Sequence, residues 1–142
     1  MSKVYSELHV HIVWHTKDSL PLLNSEVEKL AHDSLRARCV EEPGVFVHEI
    51  GGIETHVHLC ITYPPTLTLS NFIGQLKGRS SHEVNNRSGR RQAELQWQTG
   101  YGVVSFGTGD LDWVKKYVKN QRVHHQGESA QDRLERITQF DA

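Results

Sequence analysis

Leu8, Val10, Ile12 and Trp14 alternate with His9, His11, Val13 and His15, the period-two pattern of a strand with one apolar face, ahead of a turn at Pro21. Val27, Leu30, Ala31, Ser34, Leu35 and Ala37 then recur at helical intervals. That spacing predicts a helix capped by Asn24 or Ser25 and running to about Val40, with Pro43-Gly44 stopping it. Val45 to Ile50 reads as a second strand, Gly51-Gly52 as a tight turn, and Ile53 to Tyr63 as a third strand. Leu69, Phe72, Ile73 and Leu76 mark a second helix from Thr68 or Ser70 to about Val84, followed by a polar, basic loop over Asn85 to Arg91. Leu95 to Phe106 alternates around Gly100 and is expected to form a short hairpin. Asp110 is expected to cap a third helix over about 110–125, and a short helical tail is expected over about 129–140.

Strand, helix, strand, strand, helix, strand is the order of an α+β, ferredoxin-like antiparallel sheet with helices mainly on one face, here with one more helix at the C-terminal end. RNA-recognition modules share that order, so the fold by itself does not fix a function. With 142 residues the chain is expected to form a single domain over 1–142. A hydrophobic content of 37% and a charged content of 23% suit a globular protein, and no apolar run reaches the length of a membrane span. The first residues lack the charged-then-apolar pattern of a signal peptide. Cys39 and Cys60 have no metal-binding or redox spacing and read as reduced thiols, so a cytoplasmic location is expected. A net charge of −1 argues against bulk attraction to nucleic acid but leaves room for a local basic patch.

Ten histidines are many for this length, so most of them must be ordinary surface residues. His56 and His58 differ from the rest. They flank Val57 on a strand whose other face carries Val57, Leu59 and Ile61, and Pro64-Pro65 ends the segment. Residues two apart on a strand share a face at roughly 7 Å, close enough for both rings to converge on one ion. The competing reading is a pair of solvent-facing histidines on a half-exposed strand. His9-Val10-His11 has the same spacing but lacks the proline exit.

The helix starting at Asp110 has two stripes. Leu111, Val114 and Val118 form an apolar one, and Trp113, Tyr117, Gln121 and His125 lie one turn apart beside it. Lys115, Lys116, Lys119 and Arg122 surround them. Read alone, Tyr117 would be an aromatic at the rim of the core and the lysines a solvated face.

Taken together, these segments resemble the single-tyrosine HUH transposases, a superfamily of small bacterial proteins encoded by insertion sequences or by solitary genes beside repetitive extragenic palindromes. The resemblance runs over about residues 5 to 125. It rests on His11-Ile12-Val13-Trp14-His15-Thr16-Lys17, the pair with Pro64-Pro65, Leu76-Lys77-Gly78-Arg79-Ser80-Ser81, Trp97-Gln98-Thr99-Gly100-Tyr101-Gly102, and Tyr117-Val118-Lys119-Asn120-Gln121-Arg122-Val123-His124-His125. One departure is Thr55 before the pair, where many relatives carry Asp, with Glu54 one place earlier.

The resemblance implies a metal-dependent single-stranded DNA transposase in which His56, His58 and the Gln121 side-chain oxygen bind Mg2+ or Mn2+. Tyr117 would attack a scissile phosphate at a hairpin-flanked site, leaving a 5′-phosphotyrosine and a free 3′-hydroxyl for strand transfer. A free tyrosine, with a pKa near 10, is phenolate in only about one molecule in a thousand at neutral pH, a deficit of roughly 4 kcal/mol that a divalent ion on the phosphate offsets. Lys77, Arg79, Arg87, Arg90, Arg91, Lys116, Lys119 and Arg122 are candidate phosphate contacts, and Trp97 and Tyr101 candidate stacking platforms for unpaired bases. A homodimer with active sites shared in trans is also expected from the resemblance. Two other readings share these residues: a domesticated relative that processes chromosomal palindromes, and a non-catalytic single-strand nucleic-acid-binding module.

Overall fold

A computed structural model describes residues 3–87, 95–126 and 132–137. Four strands, β1 (His9–His15), β2 (Phe46–Ile53), β3 (His56–Thr62) and β4 (Gly102–Phe106), form one antiparallel sheet in the order β2-β3-β1-β4. Helices α1 (Ser25–Glu41) and α2 (Leu69–Arg87) are the two crossovers. This is the ferredoxin-like arrangement, with β1 and β3 at the centre of the sheet. Val13 lies opposite His58, and His15 opposite His56.

The alternation in β1 and β3 sorts side chains onto two faces. Val10, Ile12, Trp14, Val57, Leu59 and Ile61 join Leu35 and Cys39 of α1 and Phe72, Ile73 and Leu76 of α2 in the main core. Each such side chain contributes about 1.5–3 kcal/mol by leaving water. Asn24 caps α1, its side-chain oxygen accepting from the Val27 N–H at 3.0 Å.

The opposite face is also covered. Helix α3 (Leu111–Lys119) lies across β2 and β3, with Val114 and Val118 packed on Cys60. Gly51 permits that close approach, because a Cβ there would run into the Val118 carbonyl. A four-residue helix, α5 (Asp132–Glu135), docks against β4 and β1. The chain just after it passes so close to β4 that a Cβ at Gly102 would meet the Arg136 carbonyl.

Several expected boundaries move. Gly51-Gly52 is not the turn: β2 continues through both glycines to Ile53, and the chain reverses at Glu54-Thr55. Gly51 serves the docking of α3 instead, and a Cβ at Gly52 would meet the His56 carbonyl of β3. Leu95 to Phe106 is not a hairpin. Only β4 pairs in register with β1, while Trp97 makes one isolated bridge to Thr16. Helix α2 runs past Val84 to Arg87, and the Asn85 side chain brackets Leu95, accepting from its N–H at 2.8 Å and donating to its carbonyl at 3.0 Å. Asp110 makes no side-chain cap, and the third helix breaks at Asn120 into α3 and α4 (Gln121–Gln126). Arg90 and Arg91 lie outside the described residues, as do the ends of the expected tail.

Candidate metal and tyrosine site

The site stands on the two central strands. His56 is 3% exposed and His58 fully buried, so the pair does not face solvent: α3 and α5 roof it. The two rings lie 4.9 Å apart, centroid to centroid. His56 Nδ1 is 3.0 Å from the Thr55 hydroxyl, and His58 Nδ1 is 2.7 Å from His11 Nε2. With both Nδ1 atoms so engaged, both Nε2 atoms turn to one carboxylate oxygen, Glu135 Oε1, at 3.5 and 3.3 Å.

Two imidazole nitrogens and a carboxylate oxygen within 4.8 Å of one another can hold a divalent ion. Ligation needs neutral imidazoles whose far nitrogen is held in place, and the Thr55 and His11 contacts supply that. Burial, with the neighbouring His58 imidazole, pushes the His11 pKa down to about 3, which keeps that ring neutral. Thr55 thus contacts His56 directly.

Tyr117 completes the group. Its ring is 2% exposed, stacks on Trp113 at 5.6 Å, and stands edge-on to His58 at 6.1 Å and to His11 at 6.4 Å. Its hydroxyl donates to Glu135 Oε2 at 2.5 Å. One carboxylate therefore bridges the tyrosine and the histidine pair.

Gln121 is also buried, one turn after Tyr117, but its side-chain nitrogen donates to the Tyr117 carbonyl at 3.0 Å. Glu135 completes a three-donor cluster with the two imidazoles. Sequence reasoning missed Glu135, which sits in the tail beyond the motifs and approaches the site only through the docking of α5. His9-Val10-His11 differs from the ligand pair in lacking the proline exit, yet the antiparallel register of β1 on β3 brings His11 diagonally beside His58.

A family model for IS200-like transposases matches residues 4–121. The chain belongs to that family. The transposase for insertion sequence element IS200 of Salmonella typhimurium is 28% identical over 115 residues, which are 78% of this chain and 74% of the relative. The ISDra2 transposase TnpA of Deinococcus radiodurans is 24% identical over 119 residues, 81% and 84% of the two chains. Among solved structures, a candidate transposase from Deinococcus radiodurans R1 superposes with a TM-score of 0.68 at 22% identity, covering 85% of this chain and 95% of its own. A REP-associated tyrosine transposase bound to a REP hairpin superposes with a TM-score of 0.64 at 14% identity, covering 88% and 73%. These structural likenesses establish the shared fold.

The described candidate phosphate contacts of this IS200-like transposase do not gather on one surface. Lys77, Arg79 and Arg87 belong to α2, on the face of the sheet opposite Tyr117, whereas Lys116, Lys119 and Arg122 belong to α3 and α4. Lys77 donates to the Gln98 and Gly100 carbonyls at 2.7 and 3.0 Å, stapling that loop. Arg79 pairs with Glu41 and Glu83, and Arg122 with Glu54 and Glu28. Lys116, Lys119 and Arg87 are exposed. Glu54 faces Arg122 and takes no part in the histidine cluster. Trp97 packs edge-on to Trp14 and donates to the Ser80 hydroxyl at 2.9 Å, which makes it a core residue that lines a groove of about 420 Å³ with Tyr101 and Lys77. Among the described residues no helix is long and apolar enough to cross a membrane.

Proposed function

We propose that this chain cleaves and rejoins single-stranded DNA beside a hairpin, with Tyr117 as the nucleophile and a divalent ion, Mg2+ or Mn2+, held by His56 and His58. The observation that carries the reading is the Glu135 carboxylate, an anion with one oxygen against both imidazole Nε2 atoms and the other on the Tyr117 hydroxyl. A scissile phosphate offers the same pattern: one oxygen for the ion and a phosphorus within reach of the phenol. Glu135 is then the third donor before DNA arrives and yields to the phosphate when the strand enters. The Gln121 carboxamide, expected as a ligand from the resemblance, engages the Tyr117 carbonyl through its nitrogen, a contact that does not use the oxygen that would ligate.

When bound, the ion neutralises phosphate charge and favours departure of the 3′ oxygen. Tyr117 gives up its proton and its Oη bonds to phosphorus. The bond from phosphorus to the 3′ oxygen breaks, and that oxygen takes up a proton. His56 and His58, fixed through Thr55 and His11, hold their Nε2 atoms in one place throughout. Stacking on Trp113 and burial on α3 limit the phenol to one approach. The energy of the broken diester bond is kept in the phosphotyrosine, so attack by a 3′-hydroxyl can rejoin strands without a nucleotide cofactor. The chemistry runs in cis in this reading. Exchange of α3 between copies of a homodimer would have to part Tyr117 from Glu135 and Val118 from Gly51.

The test is to incubate labelled single-stranded hairpin DNA with the protein and Mn2+ or Mg2+, then look for a protein–DNA adduct that survives denaturation. The adduct is expected only with metal and is absent from Tyr117→Phe. Clear binding with no adduct on any hairpin would leave a nucleic-acid-binding module, and an adduct that persists in Tyr117→Phe would move the nucleophile elsewhere.

A further inference from the structure

His11 sits at the centre of the sheet, 0% exposed, on the strand beside the one that carries the candidate ligands. Its position is costly for a purely structural residue. His11 Nδ1 is buried and has no hydrogen-bond partner among the described residues, so a leucine or valine would suit the site better on packing grounds alone. What it does engage is His58: His11 Nε2 lies 2.7 Å from His58 Nδ1, with ring centroids 4.9 Å apart.

The chemistry of ligation fixes the sense of that contact. For His58 to offer the Nε2 lone pair to an ion, its proton must be on Nδ1, and that proton points at His11 Nε2. We propose that His11 is the positioning residue of the metal centre, accepting the Nδ1 proton of His58 and so setting both the tautomer and the ring plane of that ligand. The role follows from the antiparallel register of β1 on β3, which places His11 diagonally across from His58. Thr55 stands to His56 as His11 stands to His58, but the Thr55 hydroxyl can donate or accept, whereas an imidazole whose proton is on Nδ1 can only accept at Nε2. The two ligands are therefore held unequally, with His58 the more strictly oriented. This inference rests on the metal-site reading above.

The experiment uses the full chain without DNA. Mn2+ binding is read from loss of the six-line spectrum of free Mn2+ in electron paramagnetic resonance, for wild type, His11→Leu and His11→Gln. Leucine fills the space without an acceptor, whereas glutamine returns an oxygen near the position of Nε2. His11→Leu is expected to weaken Mn2+ binding by about 10- to 100-fold, the usual cost of losing a partner that orients a ligating histidine. His11→Gln is expected to keep most of the affinity. Unchanged affinity in His11→Leu, or equal loss in both variants, would overturn the positioning role and leave the metal site standing. A wild-type protein that binds no Mn2+ would overturn the metal site itself, and His11's role with it. Should His11→Leu fail to fold, long-range proton–nitrogen NMR spectra of the Zn2+-loaded wild type read the tautomer directly. A proton on His58 Nδ1 supports the proposal, and a bare Nδ1 overturns it.

Discussion

The two faces of the sheet are built on opposite plans. Leu59 and His58 are neighbours on β3 and both are fully buried. Leu59 looks into the apolar core under α1 and α2, where long amphipathic helices do the covering. His58 looks into a face lined by His11, His15, His56 and Thr62, roofed by the nine residues of α3 and the four of α5. The first face supplies stability through area removed from water. The second gathers polar groups that cost free energy to bury and engages many of them with each other, His11 Nδ1 excepted. A central strand can serve both at once because its side chains alternate, and the helix-packed face makes the histidine face stiff enough to be a site.

Truncating one residue on each face of β3 should have opposite consequences. Leu59→Ala should cost about 2–5 kcal/mol of unfolding free energy, the range for large-to-small changes in a packed core, read by urea denaturation. His58→Ala should keep the far-ultraviolet spectrum and the α1–α2 core while abolishing Mn2+ binding and adduct formation. If Leu59→Ala proved milder than His58→Ala in denaturation, the division of labour between the faces would be wrong. Mixing His58→Ala with Tyr117→Phe adds a second readout: chemistry in cis gives no adduct from the mixture, whereas sites shared between subunits would restore it.

Next in size is the seat of the tyrosine helix. Gly51→Ala places a methyl against the Val118 carbonyl, next to Tyr117. Overpacking of this kind costs about 1–3 kcal/mol, and displacement of α3 should lower adduct yield by more than the stability loss alone would explain. A crystal structure of the variant with α3 unmoved would refute this account of the glycine.

A smaller effect is expected in acid. Burial pushes His32 on α1 down to about 4, with the Arg36 and Arg122 charges acting in the same direction. Above pH 6.5 the ring is neutral whether the chain is folded or not. As pH falls from 6.5 towards 4 the unfolded chain takes a proton that the folded one refuses, so stability drops by up to about 1.4 kcal/mol per pH unit. His32→Gln should flatten that slope in urea titrations, and an unchanged slope would assign acid sensitivity to other groups. Smallest is Arg122→Ala. Its pairs with Glu54 and Glu28 are largely exposed, so the change should stay within about 1 kcal/mol. A loss of DNA binding that shrinks at high salt would mark Arg122 as a phosphate contact able to leave its carboxylates.

The order of elements, the apolar face of each central strand and the shared face of His56 and His58 were legible along the chain. These follow from local periodicity, which needs no knowledge of what lies across the sheet. The sequence also carried the family resemblance, because the motifs are contiguous runs. The places it misread at Gly51-Gly52 and over Leu95 to Phe106 are ones where another segment fixes the backbone. Gly51 answers to Val118, Leu95 to Asn85, and Gly102 to Arg136. The burial of the pair, the contact of His11 with His58 across 47 residues of chain, and the reach of Glu135 to both imidazoles and Tyr117 came from packing in three dimensions. Hydrogen bonds and ligand sets depend on distances of about 3 Å between atoms far apart in sequence, and no period along one strand or helix encodes them.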